Sequence, residues 1–441
     1  MIDLRDPLTL APLTRQPLGG GAAVWTGGSQ DWPEIDRIPY LRVGRDELAA
    51  RVVALLRAGR VVEARAELLR DQDDFARQPP PSLETTLAIS REEPSTFREA
   101  MRRLEYGPVA HYFAHRTSTP TFLSGLWMID SCYSAPGMET TFVEIACGVG
   151  HFIRNAEQFH REARSQGVTP VNPPAIGVDV VWSKLWLGRR YLELSSPLIC
   201  ADVCGGSLPL ADGTDELPVP SVIPTPPQPF TPSSATAPRT RTAFCHDAFY
   251  FFPDKVLAYA EMRRIAKSVI IGHAHLRSAD HGDVAGTPLS VAEYAELTDQ
   301  GLFEDDAACT RAAVRGISEH KRYRKGDVAA LSDAEAVCWR DPGGDLPDDF
   351  LEPGAMIAGD GVAWNGRLRL NPLLTEQGGR LVPDWPEARF AAEYAGADYL
   401  TGPIPTQTQI EQVESGNWTI ENDEIRDFIR RRTFIDVPER W

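Results

Sequence analysis

Near the middle of the sequence, three short apolar runs each close on an acidic residue. In the first, Val143-Glu144-Ile145-Ala146-Cys147-Gly148-Val149-Gly150-His151, a strand pattern closes on Glu144, turns through two glycines and opens a helix. Glycines there let backbone approach a ligand without interference from a Cβ, and the N-terminus of a helix lies just beyond. The second run, Ala175-Ile176-Gly177-Val178-Asp179-Val180, ends on an acid whose two oxygens can accept both hydroxyls of a ribose. In the third, Ala201-Asp202-Val203, the acid can accept an adenine amino group while Val203 packs on the ring. A lone Gly-x-Gly also fits a tight turn that binds nothing. Three strand-end acids in series point to a nucleoside-bearing ligand instead.

Such a site needs a scaffold that delivers several strand ends to one edge. From about residue 140 onward, short runs rich in β-branched residues alternate with helical patterns. The strands are TTFVEIA, AIGVDV, PLICAD, TAFCHDAFYF and SVIIGHAH, and helices fall near 151–166, at WSKLWLGRRYL and at DKVLAYAEMRRIAK. That alternation predicts parallel βαβ units in an open, doubly wound α/β sheet. Ahead of them, FREAMRRLEYGPVAHYFAHR and TFLSGLWMIDSCYSA read as two helices. DELAARVVALLRAGRVVEARAELL reads as a helical hairpin that Asp46 can cap and Gly59 breaks, with Leu48, Val52, Leu55 and Leu56 on one face. The glycine-rich opening GGGAAVWTGGSQDWPEID reads as irregular. Prolines 79–81 form a stiff linker, and ELPVPSVIPTPPQPFTPSSATAPRT reads as a surface insertion in a crossover. We therefore expect an N-terminal accessory region over 1–85, a core domain over 86–340 with a Pro-rich insertion at 216–240, and a C-terminal extension over 341–441. The extension carries several aromatics and a final helix at ENDEIRDFIRRR.

The stretch from Val143 to His275 resembles the class I S-adenosylmethionine-dependent methyltransferases. VEIACGVGHF is similar to that family's first motif, GVDV to its ribose-binding acid and ADV…LPLADG to its adenine-binding motif. CHDAFYFFPDK and EMRRIAKSVII resemble its fourth-strand motif, following helix and fifth strand, with last strands near LFEDDAACT and AEAVCWR. The resemblance implies a mostly parallel, seven-stranded Rossmann-like sheet with a helical N-terminal and an irregular α+β C-terminal extension. It implies S-adenosylmethionine as cofactor, bound by Glu144, Ala146, Cys147, Gly148, Gly150, Asp179, Val180, Asp202, Val203 and Cys245. A dinucleotide-binding fold would place glycine or alanine three positions after Gly150, where Ile153 stands. The sequence departs from the family in a long loop before Asp179 and in Thr242-Ala243-Phe244, where an acidic residue is usual.

Cys245, His246 and Asp247 close the fourth strand, where the family brings the acceptor to the methyl group. His246 is the candidate general base, with Asp247 as its orienting partner; contact with the cofactor through backbone atoms alone is the plainer role for this segment. His273 and His275 alternate on a strand with Asp280, His281 and Asp283 behind. They form an acceptable metal-ligand set or merely a polar strand end before a solvated loop, and no metal is expected. His111 and His115 share a helix face beside Tyr112 and Arg116, with a structural role favoured. Asn172-Pro173-Pro174 lies away from the position such a motif holds in amino-group methyltransferases, and reads as loop.

Composition bounds the partners. The 441 residues carry 45 Lys+Arg against 62 Asp+Glu, a net charge of -17 that disfavours nucleic acid as the acceptor. A basic run at Lys321-Arg322-Tyr323-Arg324-Lys325 reads as a solvated loop or helix end. No run of roughly 20 apolar residues is present to cross a membrane, and MIDLRDPLTL lacks the apolar stretch of a secretion signal. The 7 cysteines are scattered, without a disulfide framework or a zinc-binding pair, so a reducing cytoplasm is expected. The reading is methyl transfer to a small-molecule acceptor, favouring O- or C-methylation. The alternative is a module of the same fold that acts on or binds a protein partner.

Overall fold

The glycine-rich opening is not irregular. It folds as an antiparallel sheet of β1 (Thr14–Gly19), β2 (Ala22–Thr26), β3 (Trp32–Ile35) and β4 (Ile38–Pro39). Gly20 and Gly21, at φ +58 and +79, make the two-residue turn between β1 and β2, a conformation that needs glycine. In this computed structural model, residues 2–74, 76, 79–134, 140–165, 175–213, 240–278, 286–315, 321–342, 368–385, 390, 396–417 and 422–441 are described. The Pro-rich insertion up to residue 239, Asn172-Pro173-Pro174, Asp280, His281, Asp283 and most of the linker after Asp341 lie outside the described residues.

The helical hairpin forms as α1 (Asp46–Arg57) and α2 (Val61–Leu69), divided at Gly59. Arg45 rather than Asp46 is the N-cap residue and no side chain caps it; Asp46 sits in the first turn, where its charge suits the helix dipole. Next come α3 (Leu83–Arg91), α4 (Phe97–Arg103), α5 (Pro108–His115) and α6 (Pro120–Ser134). The segment expected as one helix is split because Gly107, at φ +56, turns the chain and Pro108 opens a new helix.

The central sheet contains β5 (Thr140–Ile145), β6 (Ala175–Asp179), β7 (Leu198–Cys200), β8 (Thr240–His246), β9 (Ser268–His275), β10 (Leu302–Asp305) and β11 (Ala336–Asp341). Their spatial order is β10-β11-β9-β8-β5-β6-β7. β7, β6, β5, β8 and β9 run parallel, while β11 pairs antiparallel with both β9 and β10. This is the seven-stranded, mostly parallel, Rossmann-like sheet expected. Its helices are α7 (His151–Ser165), α8 (Trp182–Tyr191), α9 (Lys255–Ile265), α10 (Val291–Ala295) and α11 (Asp306–Arg315). Most strand residues are buried, the polar ones among them included, as in a sheet covered on both faces. The chain steps outward from β5 to β7, then returns to β8 on the other side of β5. That reversal opens a crevice at the carboxyl ends of β5 and β8, where open α/β sheets bind ligands.

Both extensions pack on this core. Leu41 donates its N–H to the Cys200 carbonyl at 2.7 Å, so the N-terminal region covers the exposed edge of β7. The C-terminal region forms β12 (Leu368–Leu370), β13 (Leu374–Gln377), β14 (Arg380–Pro383) and β15 (Phe434–Asp436). It docks near α5: Trp441 Nε1 donates to the Ala114 carbonyl at 3.0 Å and Tyr399 Oη to that of Ser118 at 3.0 Å.

Candidate functional site

Three non-glycine residues at the carboxyl edge of the central sheet hold the left-handed conformation: Ala146 (φ 57), Asp247 (φ 54) and His273 (φ 47). Ala146 follows β5, Asp247 follows β8, and His273 lies within the adjacent β9, two residues before its end. Each such residue costs on the order of 1–3 kcal/mol, a strain that clusters where backbone must re-aim a functional group. Gly148 (φ +57) and Gly150 (φ +83) extend the same turn, and a Cβ on Gly148 would lie 3.0 Å from Phe113 of α5.

The three strand-end acids Glu144, Asp179 and Asp202 come to one edge of the sheet. Asp179 Oδ2 accepts the Gly148 N–H at 2.8 Å and Oδ1 accepts that of Val181 at 2.9 Å. The acid of the second strand thus fixes the turn after the first, and each oxygen keeps a second lone pair. Val180 follows it, half-buried. Asp202 Oδ1 accepts the Cys204 N–H at 2.8 Å, closing the turn after β7, with Val203 buried beside it. Asp212 lies apart, paired with Arg264 at 2.8 Å. Cys147 donates its N–H to Val178 at 3.0 Å; burial pushes its thiol, and that of Cys245, well above the usual range. Glu144 is buried with Oε2 lacking a hydrogen-bond partner, and burial raises its carboxyl well above the ordinary range. A buried carboxyl with one unpartnered oxygen, beside a left-handed glycine turn and an aspartate with spare lone pairs, fits a ligand that carries an ammonium group on a nucleoside. S-Adenosylmethionine has that make-up.

Beside these acids lies a cluster of buried polar side chains. Its parts are Tyr112 of α5, Arg116 in the turn after it, His246 and Asp247 ending β8, Tyr250, His273 and His275 of β9, and Asp306 opening α11. Arg116 Nη2 donates to His246 Nδ1 at 2.9 Å. A guanidinium can only donate, so the His246 proton resides on Nε2. Burial, then the Arg116 charge, hold His246 well below its ordinary range, so it is neutral. Its ring fills the gap left by two glycines: a Cβ on Gly125 would lie 2.8 Å from Nε2, and one on Gly272 3.0 Å. Asp247 is not bonded to His246, contrary to the expected orienting role. Its Oδ2 accepts from Tyr112 Oη at 2.8 Å and lies 3.5 Å from Arg116, while Oδ1 accepts from Tyr250 Oη at 3.0 Å. Burial raises the Asp247 carboxyl, but His273 and Arg116 outweigh it and keep it below the usual value. His273 Nδ1 pairs with Asp306 Oδ2 at 2.8 Å; burial opposes its charge, yet Asp306 and Asp247 lift it to about 9.

The helix before the first parallel strand presents two faces, and the structural role favoured for His111 and His115 agrees with their packing. His111 and His115 stack on each other at 4.3 Å and against Phe390 and Trp441, a packing role. Tyr112 and Arg116, four residues apart on the next face, reach Asp247 and His246. Asp306 is hidden in a segment that reads as strand; the strand stops at Asp305 and Asp306 begins a helix. Tyr250 carries no signal beyond its place after the fourth strand.

Among solved structures, the chain is similar to a SAM-dependent methyltransferase of Thermotoga maritima, described as a possible histamine N-methyltransferase. Identity is 14% over 56% of this chain and 100% of that one, with a TM-score of 0.31. It is also similar to the plantazolicin methyltransferase BpumL, solved with a triazolic desmethylPZN analog and SAH, at 10% identity over 55% of this chain and 94% of that one, TM-score 0.28. No family model and no curated protein matches the sequence. Among the described residues no helix is long and apolar enough to cross a membrane.

Proposed function

We propose that this chain transfers a methyl group from S-adenosylmethionine to a small-molecule acceptor, at an oxygen or carbon atom. The observation that carries the reading is the joint placement of Glu144, Asp179 and Asp202 at the ends of β5, β6 and β7 around the left-handed Ala146–Gly150 turn. Asp179 takes the ribose hydroxyls on its remaining lone pairs, Asp202 and Val203 take the adenine, and Glu144 takes the ammonium of the amino-acid portion. Ala146, Cys147, Gly148, Gly150, Val180 and Cys245 line the turn through backbone. The bound cofactor supplies a methyl group on a cationic sulfur, which leaves as the thioether when a nucleophile attacks in line.

Such a transfer gains most from positioning and exclusion of water. Here α5 and the C-terminal extension cover the carboxyl edge. The acceptor meets the polar cluster, where His273 and Arg116 hold Asp247 ionised and Tyr112 and Tyr250 donate to it. Asp247 is better placed than His246 to polarise an acceptor proton, since the His246 Nδ1 lone pair is taken by Arg116. His246 then acts by fixing Arg116. Calorimetric titration with S-adenosylhomocysteine tests the cofactor reading, and a screen of metabolites for a mass gain of one methyl group tests the acceptor. Absence of any binding by the folded wild type would sink both.

A further inference from the structure

We propose that Asp247, His273 and His275 form a site for a divalent first-row transition-metal ion, with Asp306 fixing His273 from behind. One ligand atom from each of the three lies within 4.8 Å of the other two, and both histidines are buried. Ligands at about 2.0–2.2 Å from an ion stand roughly 3–4 Å apart, so modest side-chain rotation closes the set.

The backbone is shaped for this. Pairing between β9 and β11 shifts near Cys338, so that Gly272 and His273 together stand opposite that one residue, a β-bulge of the kind that re-aims a side chain. His273 takes φ 47 there, and the His273 and His275 rings come to 4.7 Å between centroids. Asp247, also left-handed, turns back toward them from the end of β8.

The bonds behind the ligands settle which atoms face inward. Asp306 Oδ2 occupies Nδ1 of His273, and Asp306 Oδ1 is itself held by Cys338 Sγ at 3.0 Å. Nε2 of His273 is therefore the atom turned toward Asp247 Oδ1. The two are 3.9 Å apart, too far for a hydrogen bond. A carboxylate behind a histidine, aiming its other nitrogen at an ion, is the usual outer shell of a metal centre. Asp247 is likewise oriented by Tyr112 and Tyr250. Arg116 faces its Oδ2, while Oδ1, which accepts from Tyr250, keeps a lone pair for an ion. Two imidazoles and one carboxylate suit zinc, cobalt, iron or manganese rather than magnesium or calcium. Asp280, His281 and Asp283, which follow the two histidines in sequence, lie outside the described residues; among the described residues Asp247, distant in sequence, supplies the carboxylate.

Three protein ligands leave open positions on the ion for an acceptor oxygen, a role that rests on the methyl-transfer reading. The site itself does not, and its test uses the full chain stripped with chelator and titrated with cobalt(II), followed by visible absorption, and with zinc(II) by calorimetry. We expect one ion per chain, unaffected by excess magnesium. Asp247→Asn and His275→Ala should each weaken binding at least 100-fold, and Asp306→Asn about 10- to 100-fold. Far-UV circular dichroism checks that each variant is folded. Should they unfold, X-ray absorption of the zinc-loaded wild type must show imidazole scattering. A folded wild type that binds no stoichiometric ion, folded variants with unchanged affinity, or a zinc shell without imidazole would each overturn the proposal. Titration of the metal-free protein with S-adenosylhomocysteine keeps the readings apart: ion binding without nucleoside binding retains the site and removes its acceptor role.

Discussion

Asp179 joins the fold to the proposed cofactor, and replacing it with asparagine separates the two contributions. In the folded chain its oxygens accept the Gly148 and Val181 N–H groups at 2.8 and 2.9 Å. One lone pair on each oxygen remains for a ribose hydroxyl. Asp179→Asn keeps one acceptor oxygen and turns an NH2 toward a backbone N–H, so one loop bond and one ribose bond are lost with the charge. A hydrogen bond to a charged group contributes about 1.5–3 kcal/mol. The loss on the ligand side is then about 2–3 kcal/mol, a rise in the Kd for S-adenosylhomocysteine of roughly 30- to 150-fold. Stability falls by a similar increment, because a buried N–H loses its acceptor.

Calorimetric titration and thermal denaturation of the same samples read the two effects independently. Asp202→Asn is the control: its carboxylate accepts the Cys204 N–H in the turn after β7 and does not brace the glycine turn, so its effect on affinity should be several-fold smaller. If Asp179→Asn stays folded and binds S-adenosylhomocysteine within threefold of wild type, the assignment of the ribose to Asp179 is wrong.

Three other outcomes follow from the packing. Gly272→Ala should lower stability by about 1–3 kcal/mol, because the new methyl meets the buried His246 ring, and His246→Ala in the same chain should relieve it; non-additivity in a double-mutant cycle of melting curves checks this. His115 is buried and, with burial the main cause, titrates at about 3 rather than 6.5. Since the folded form resists the proton, its stabilising effect is complete above pH 6.5 and is lost as pH falls toward 3. The loss is at most about 2 kcal/mol at pH 5, and His115→Gln should flatten the fall in melting temperature between pH 7 and 5. Asp6 accepts from Trp32, Ser29 and Thr9, which outweigh its burial and hold it at about 2 rather than 3.8. Asp6→Ala should cost about 1.5–3 kcal/mol by denaturant titration at pH 7, and the difference from wild type should vanish as pH falls through about 2.

What is legible in the sequence divides along a physical line. The residues proposed to hold the cofactor stand at strand ends within consecutive βαβ units, and there chain order dictates spatial order. Glu144, Asp179 and Asp202 can be placed from chain order alone, because alternation of strand and helix puts each acid at the same edge. The opening sheet escapes such reading because its turn glycines and short, Trp-bearing strands carry no periodicity that separates them from loop. The helix from Phe97 reads too long because Gly107 interrupts a pattern that is apolar on both sides.

The polar cluster resists reading for a different reason. Its members come from α5, β8, β9 and α11, elements spread over much of the chain, and their meeting depends on side-chain direction rather than on order. A step of one residue, about 100° around a helix, decides whether His115 or Arg116 faces Asp247. A single bulge at Gly272-His273 decides where a histidine points, and the left-handed Asp247 decides which carboxylate it meets. Local propensity favours none of these conformations at a non-glycine residue, so they persist only because the surrounding packing imposes them. The same left-handed conformation at Ala146, Asp247 and His273, on three neighbouring strands, supports the proposal that the glycine turn and the polar cluster serve one site. A sheet built only for stability would carry residues that relax at those positions.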